Sequence, residues 1–371
     1  MVAPIVLTPF PHPSGQKPLY HTIILGAGQA GLAAAYYLKR AGKKILVLES
    51  NARIGDNWRK RWESLQLFTP QRYNGLPGLA PTGSDWELID RLEVANYLER
   101  YVETFSLPVQ LHRTCVSAQK TDAWEIRTNA ETYQAERLIV ATGAYKDPVV
   151  PAVAKQFPAS IAQLHSSEVR DLKDLVGSAT SLLIVGAGAS GQQLARLGAA
   201  AGAKVTLVGP KVANLPRNFL GKDIYWWLHN SGMMSVRTDS KIGKMLTNEK
   251  KGIITVGDGP MPPGVQRIST HVNGYAEGQL KFRTAKAEQA PLRWPGNNKK
   301  GVIIWCTGYR NRYPFLPEEL LNDAGQPLQK SGLSTVDETV AFVGLENLRR
   351  PGSSLLGGVG KDAGEIVREL G

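Results

Sequence analysis

The sequence predicts an α/β protein with two Rossmann-like dinucleotide-binding domains, the second inserted into a discontinuous first. Three observations predict it. Gly26-x-Gly28-x-x-Gly31 follows the apolar run His21 to Leu25, and Gly186-x-Gly188-x-x-Gly191 follows Ser181 to Val185. Each turn opens a helical stretch that stops at a glycine of the same offset, Gly42 or Gly202, before a further strand, "KKILVLE" or "AKVTLV". Two apolar strands end in Thr-Gly, "LIVATGAY" and "VIIWCTGYR", as strands do where a chain crosses between nucleotide domains. One glycine turn is a weak signal. Two in matched frames, each between a strand and a helix, are a strong one.

Within the first frame, Gly26 permits the tight turn, Gly28 lets backbone approach a pyrophosphate, and Gly31 lets helix and strand pack closely. The helix opening at Gln29 and Ala30 points its positive end at the phosphates. Glu49 closes the next strand 23 residues after Gly26, where an acidic side chain grips a ribose hydroxyl. The second frame offers Gly186, Gly188, Ala189, Ser190 and Gly191 in the same roles, but the residue equivalent to Glu49 is Gly209. Lys211 and Arg217 follow. A carboxylate would repel a 2′-phosphate, whereas a small residue followed by cations accommodates one. The first site therefore suits FAD. The second suits NADPH, with NADH also accepted.

The expected domains are residues 1–150 for FAD, with 1–20 an irregular proline-rich arm, residues 151–297 for NAD(P)H, and residues 298–371 completing the FAD domain. "DRLEVANYLERYVETF" reads as an amphipathic helix with Val94, Leu98, Tyr101, Val102 and Phe105 on its buried face. Short strands are expected near 109–118 and 123–128. "TVAFVG" reads as one more strand, and a helix over about 361–370 closes the first domain. Residues 211–295 carry no regular pattern.

Composition excludes other classes. No stretch nears the ~20 apolar residues of a membrane span, and the N-terminus has no secretory pattern; a cytoplasmic address is the default expectation. The net charge of +12 is dispersed, without the basic stripe of a nucleic-acid binder. Cys115 and Cys306 form no Cys-x-x-Cys pair, and the six histidines have no metal spacing, so no metal is expected. The partners expected are a small-molecule substrate and O2. Oligomeric state is left open, a homodimer among the options.

Several further motifs resemble, in order, those of flavin-dependent monooxygenases of the two-dinucleotide-domain type, the group of flavin-containing monooxygenases, YUCCA enzymes and CzcO-like flavoproteins. "GDNWRKRWESLQLFTP" is similar to the family's Gly-x-x-Trp and Leu-x-x-x-Pro segment, here Gly55, Trp58, Leu67 and Pro70. "FPASIAQLHSS" resembles a degenerate form of the family fingerprint and keeps His165-Ser166. "CTGY" and "GSSLLGGVGKDA" resemble the bacterial and YUCCA-like branch. The resemblance implies flavin contacts at Asn57, Trp58, Leu67, Thr69, Val116, Thr142 and Gly143, and nucleotide contacts at Thr307, Gly308 and Tyr309. It implies that NADPH reduces FAD, that reduced FAD with O2 gives a C4a-hydroperoxide, and that one oxygen reaches a sulfide or amine, or a ketone by Baeyer–Villiger insertion. The flavin carries the chemistry, so no catalytic side chain is assigned. A flavin reductase without oxygenation, or an FAD/NADPH redox sensor linked to ion transport, remains compatible with the same residues. His165 reads equally as an inter-domain organiser or a turn histidine. Trp58 and Trp62 each read as flavin-stacking or core, Trp58 being the better candidate for stacking, and Trp226 and Trp227 favour helix packing over a substrate path. Cys306, ending a buried strand, is expected to be inert.

Overall fold

Two separate sheets, one mixed with a parallel centre and one all parallel, form the cores of the molecule, and each is built around one of the glycine turns. The structure, a computed structural model, describes residues 18–177, 180–247, 254–257, 259–283, 290–296 and 300–371. Nearly all of the expected N-terminal arm lies outside them.

In the first sheet the strand Leu19–Leu25 lies between Ile45–Leu48 and Thr132–Val140, all parallel, and Val340–Phe342 adds beyond Thr132–Val140. Every residue of Ile45–Leu48 is buried, as a parallel strand covered on both faces requires. Helix Gln29–Arg40 and helix Val359–Leu370 cover one face, where Ala33, Ala34 and Ala35 let the backbones approach Ala363 and Ile366. Helix Arg91–Thr104 begins with a capping box in which Asp90 accepts from Leu92 and Glu93, and Glu93 accepts from the Asp90 amide. Its expected face packs on the first core: Val94, Leu98 and Tyr101 are buried, Val102 and Phe105 pack half-buried against the same cluster, and Tyr97 joins them.

The second sheet runs Val265–Ile268, Lys204–Val208, Thr180–Val185, Lys300–Trp305, Ala162–His165, again all parallel. This corrects the boundary expected at 297/298. Lys300–Trp305 pairs on both edges inside the second sheet, so that sheet's chain runs on to Trp305. An apolar strand suits either sheet. Its neighbours decide, and they lie more than a hundred residues away in sequence.

The two crossings between the sheets meet. Asp147–Pro148 and Tyr309–Arg310 form an antiparallel ribbon, and the Val149 amide donates to Gly308 O at 3.0 Å. A strap from the first domain also docks on the second. Trp62 is buried in the second domain's core with Val169 and Leu172, Glu63 N donates to Arg170 O at 2.9 Å, and Gln193 Nε2 donates to Gln66 O at 3.3 Å. Trp62 is therefore core. No helix among the described residues is long and apolar enough to cross a membrane.

Candidate nucleotide and substrate sites

The two glycine turns fold alike. Gly26 and Gly186 have φ of +102° and +111°. A Cβ on Gly31 would lie 1.9 Å from Gly26 O, and one on Gly191 would lie 1.8 Å from Gly186 O, so both helices lean on their own turns. Gly28 and Gly188 cap their helices with no side-chain hydrogen bond, and the first intrahelical amides are Leu32 N and Gln192 N. The amides of residues 29–31 and 189–191 thus have no intrahelical carbonyl and are available to an anion. Around a Cβ built on Gly28 no heavy atom lies within 4 Å, which leaves room for a phosphate. These features fit a dinucleotide.

The ends of the next strands differ. Glu49 is buried. Its Oε2 accepts from the Ala27 amide at 2.8 Å, and its Oε1 accepts from Asn51 N at 2.9 Å and Asn51 Nδ2 at 2.7 Å. Exposed Asn57 extends the chain, its Oδ1 lying 3.4 Å from Asn51 Nδ2. At Gly209 a Cβ would lie 2.7 Å from Ala187 N and 2.9 Å from Ala187 Cβ. The missing acid is thus a steric matter as well as an electrostatic one, because the strand end touches the turn. Lys211 is exposed. Arg217 donates to Phe68 O at 2.7 Å and faces Asp223 at 3.5 Å, which ties the second domain to the strap. Sequence reasoning missed Arg267. Its guanidinium donates to Pro210 O at 2.7 Å and Leu207 O at 3.3 Å, beside the strand end. Only the pairing of Val265–Ile268 with Lys204–Val208 brings it there.

The remaining candidates lie along the inter-domain seam. Trp58 is half-buried on the short helix Asp56–Arg59, packed against the first core, and Leu67 is part of that core. Thr69 and Asn74 clasp each other, Thr69 Oγ1 donating to Asn74 Oδ1 at 2.5 Å and Asn74 Nδ2 to Thr69 O at 2.9 Å. Ala141, just before Thr142 and Gly143, lies under the first turn, its oxygen 2.5 Å from a Cβ built on Gly26. Val116 is exposed at a bulge. Thr307 Oγ1 donates to Val149 O, and Tyr309 Oη accepts from Arg61 at 2.8 Å. His165 is buried, with Nε2 3.1 Å from Gly308 O and Nδ1 2.9 Å from Ser167 Oγ. Burial holds it below the usual imidazole value. This geometry favours the organiser reading. Trp226 and Trp227 sit on helix Ile224–Asn230, each half-buried, and Trp227 Nε1 caps Phe219 O at 2.9 Å.

A cavity of about 480 Å³ opens where three segments meet. The first domain contributes Thr69, Arg72, Tyr73 and Leu76 among others, the second contributes Tyr225, His229 and Met234, and the C-terminal segment contributes Arg350, Gly357 and Lys361. His229 stacks on Tyr73 with ring centroids 4.0 Å apart. Desolvation, with Lys361 and Arg72 nearby, holds His229 below its ordinary value. The C-terminal wall is fixed by ion pairs: buried Arg349 grips Glu369 at 2.7 Å and Glu365 at 3.1 Å, and Arg350 grips Asp362 and Glu365. A second cavity, about 510 Å³, lies over residues 309–312 and shares only Tyr309 with the candidates.

Two dinucleotide cradles in one chain, with a cavity between the domains that carry them, define a two-nucleotide flavoprotein oxidoreductase. The chain belongs to the pyridine nucleotide-disulphide oxidoreductase family, whose profile residues 23–233 match. Among its relatives, the uncharacterized oxidoreductase CzcO of Bacillus subtilis is 33% identical over 356 residues, covering 95% of this chain and 99% of that one. The indole-3-pyruvate monooxygenase YUCCA1 of Oryza sativa is 26% identical over 385 residues, covering 94% and 90%. The fold is shared with the flavin-containing monooxygenase from Stenotrophomonas maltophilia, at a TM-score of 0.71 and 23% identity over 95% and 98% of the two chains. Disulphide chemistry needs a redox cysteine pair. Here Cys115 begins a first-sheet strand and Cys306 follows a second-sheet strand, and burial pushes both thiols up to about 12.

Proposed function

We propose that this chain is an FAD- and NADPH-dependent monooxygenase acting on a small organic molecule. The observation that carries the reading is the cavity at Thr69 and His229, which both domains line and which no residue of either glycine turn lines. A reductase delivering electrons to a protein surface has no need of it. FAD would be held by the amides after Gly28, by Glu49, and by the segment Trp58 to Thr69. It would supply hydride acceptance and oxygen activation. NADPH would be held by the amides after Gly188 and by the cations beside Gly209. In the balanced reaction, substrate, O2, NADPH and a proton give oxygenated substrate, NADP+ and water.

The protein's own part is positioning. The Thr69–Asn74 clasp fixes the wall of the cavity without leaving a buried hydroxyl unsatisfied. His165 fixes the Thr307–Tyr309 turn at the crossing. The strap Trp62 to Phe68 holds the domains together, so the two nucleotides would be held at a fixed spacing and bulk water kept from the join.

The test is oxygen uptake and product analysis with NADPH and an aryl sulfide. Sulfoxide formed in step with NADPH consumption is the expected result. NADPH use that releases only peroxide would overturn the oxygenase reading in favour of an oxidase or reductase. Binding of both nucleotides without turnover would favour a sensor.

A further inference from the structure

We infer that the segment 211–247 is a docking surface for an anionic lipid bilayer, with the hairpin tip at Leu220 as its apolar anchor. The inference is independent of the reaction assigned to the cavity. Of the twelve large apolar side chains exposed among the described residues, five fall in this one segment: Phe219, Leu220, Met233, Ile242 and Met245. Leu220 is the most exposed of the twelve, at 75%.

Leucine is strained at that position. Asn218–Phe219 pairs antiparallel with Lys222–Asp223, so Leu220 and Gly221 form a two-residue hairpin turn, with φ of +47° and +72°. Asparagine or glycine suits the first of these places, whereas a bulky side chain is rare there. Packing does not offset the strain, because the side chain stands in solvent. Behind the tip, Phe219, Trp226 and Trp227 form a cluster of rings. Phe219 and Trp226 each meet Trp227 edge-on, with centroids 6.2 and 4.8 Å away. Trp227 Nε1 donates to Phe219 O at 2.9 Å, so the rings brace the hairpin from below.

Charge decides between possible occupants. Residues 211–247 hold six lysines and arginines against two acids. Both acids are engaged: Asp223 accepts from the Tyr225 amide at 2.8 Å and faces Arg217 at 3.5 Å, and Asp239 pairs with Arg237 at 3.2 Å. Lys211, Lys222, Lys241 and Lys244 are exposed and, among the described residues, have no carboxylate at ion-pair distance. Lys222 lies 5.8 Å over the Trp226 ring. A two-fold contact with a second copy would set these lysines against their own copies. Single-stranded nucleic acid would meet the cations and the rings but gives no place to an aliphatic tip. An anionic bilayer takes up both features. Its phosphates meet the lysines, Leu220 and Phe219 enter the acyl boundary, and the indoles rest at headgroup level.

The experiment floats the FAD-loaded protein with vesicles of phosphatidylcholine alone, or of phosphatidylcholine mixed equally with phosphatidylglycerol. Binding to the anionic vesicles is expected to be at least about tenfold tighter, and to weaken as salt is raised. Leu220→Asn gives the turn a residue it favours. It is expected to keep or raise the melting temperature, keep the flavin, and weaken vesicle binding about tenfold or more. Lys222→Gln is expected to cut the preference for anionic vesicles about fivefold. Failure to bind either vesicle would overturn the inference, as would binding that Leu220→Asn leaves unchanged. A dimer in analytical ultracentrifugation that Leu220→Asn dissolves would overturn it in favour of a second copy. Tighter, Leu220-dependent binding of oligothymidylate would overturn it in favour of nucleic acid.

Discussion

Glu49 and Gly209 end equivalent strands beside equivalent turns, and they meet the turn in opposite ways. In the first cradle a buried carboxylate takes the Ala27 amide and keeps its other oxygen on Asn51. In the second the backbone itself comes so close to Ala187 that no side chain fits. One topology thus offers a negative, fully hydrogen-bonded rim and a bare rim flanked by Lys211 and Arg267. The contrast supports the proposal that cofactor choice turns on how far the strand end stands from the turn as well as on residue identity.

The largest expected effect separates the cradles outright. Gly28→Val places its Cβ in open space, so the protein should fold but lose its flavin, seen as a colourless protein after reconstitution. Gly188→Val should stay yellow and be reduced by dithionite but not by NADPH. If both variants lose FAD alike, the assignment of the two cradles is wrong.

Next comes the steric claim. Gly209→Ala forces a contact of 2.7 Å with Ala187 N. Overpacking of this kind costs about 1–3 kcal/mol, read as a melting temperature lower by a few degrees. Gly209→Glu should fare no better and should not raise NADH use. An unchanged melting curve in Gly209→Ala would show that the strand end yields, and the distinction between the rims would collapse.

Of similar size is Glu49→Gln. Hydrogen bonds to a charged group contribute roughly 1.5–3 kcal/mol, so FAD affinity measured by equilibrium dialysis should fall about tenfold, while NADPH affinity stays put. A change in the NADPH constant alone would mean that the acid reads the other nucleotide.

The smallest effects lie at the second rim. Lys211→Ala is expected to raise the Michaelis constant for NADPH only about threefold, as an exposed charge contact contributes little, with NADH unaffected. Arg217→Ala should lower thermal stability, since the side chain donates to Phe68 O and faces Asp223. A shift of the NADPH-to-NADH ratio in the same variant would place it at the ribose as well; an unchanged ratio would confine it to the strap.

Both cradles were legible because backbone sterics write them locally: three glycines, a strand before and a helix after. The apolar core strands were legible for the same reason. What depended on long-range pairing was not. The strand Lys300–Trp305 carries no mark of which sheet it joins, and Arg267 reaches the second rim through a strand pairing that no local pattern encodes. Nor does an aromatic-rich segment announce that Trp62 will bury itself in the other domain. The cavity draws on residues from 69 to 361, so it exists only after folding.

The ribbon of Asp147–Pro148 with Tyr309–Arg310 bears on how the protein could move. A body attached by one tether can swing in any direction. One attached by two tethers bonded to each other behaves like a door on a pin: it turns about one line and resists sliding along it or pulling away. The inserted domain has such a mounting, and the strap from Trp62 to Phe68 adds a third attachment across the join.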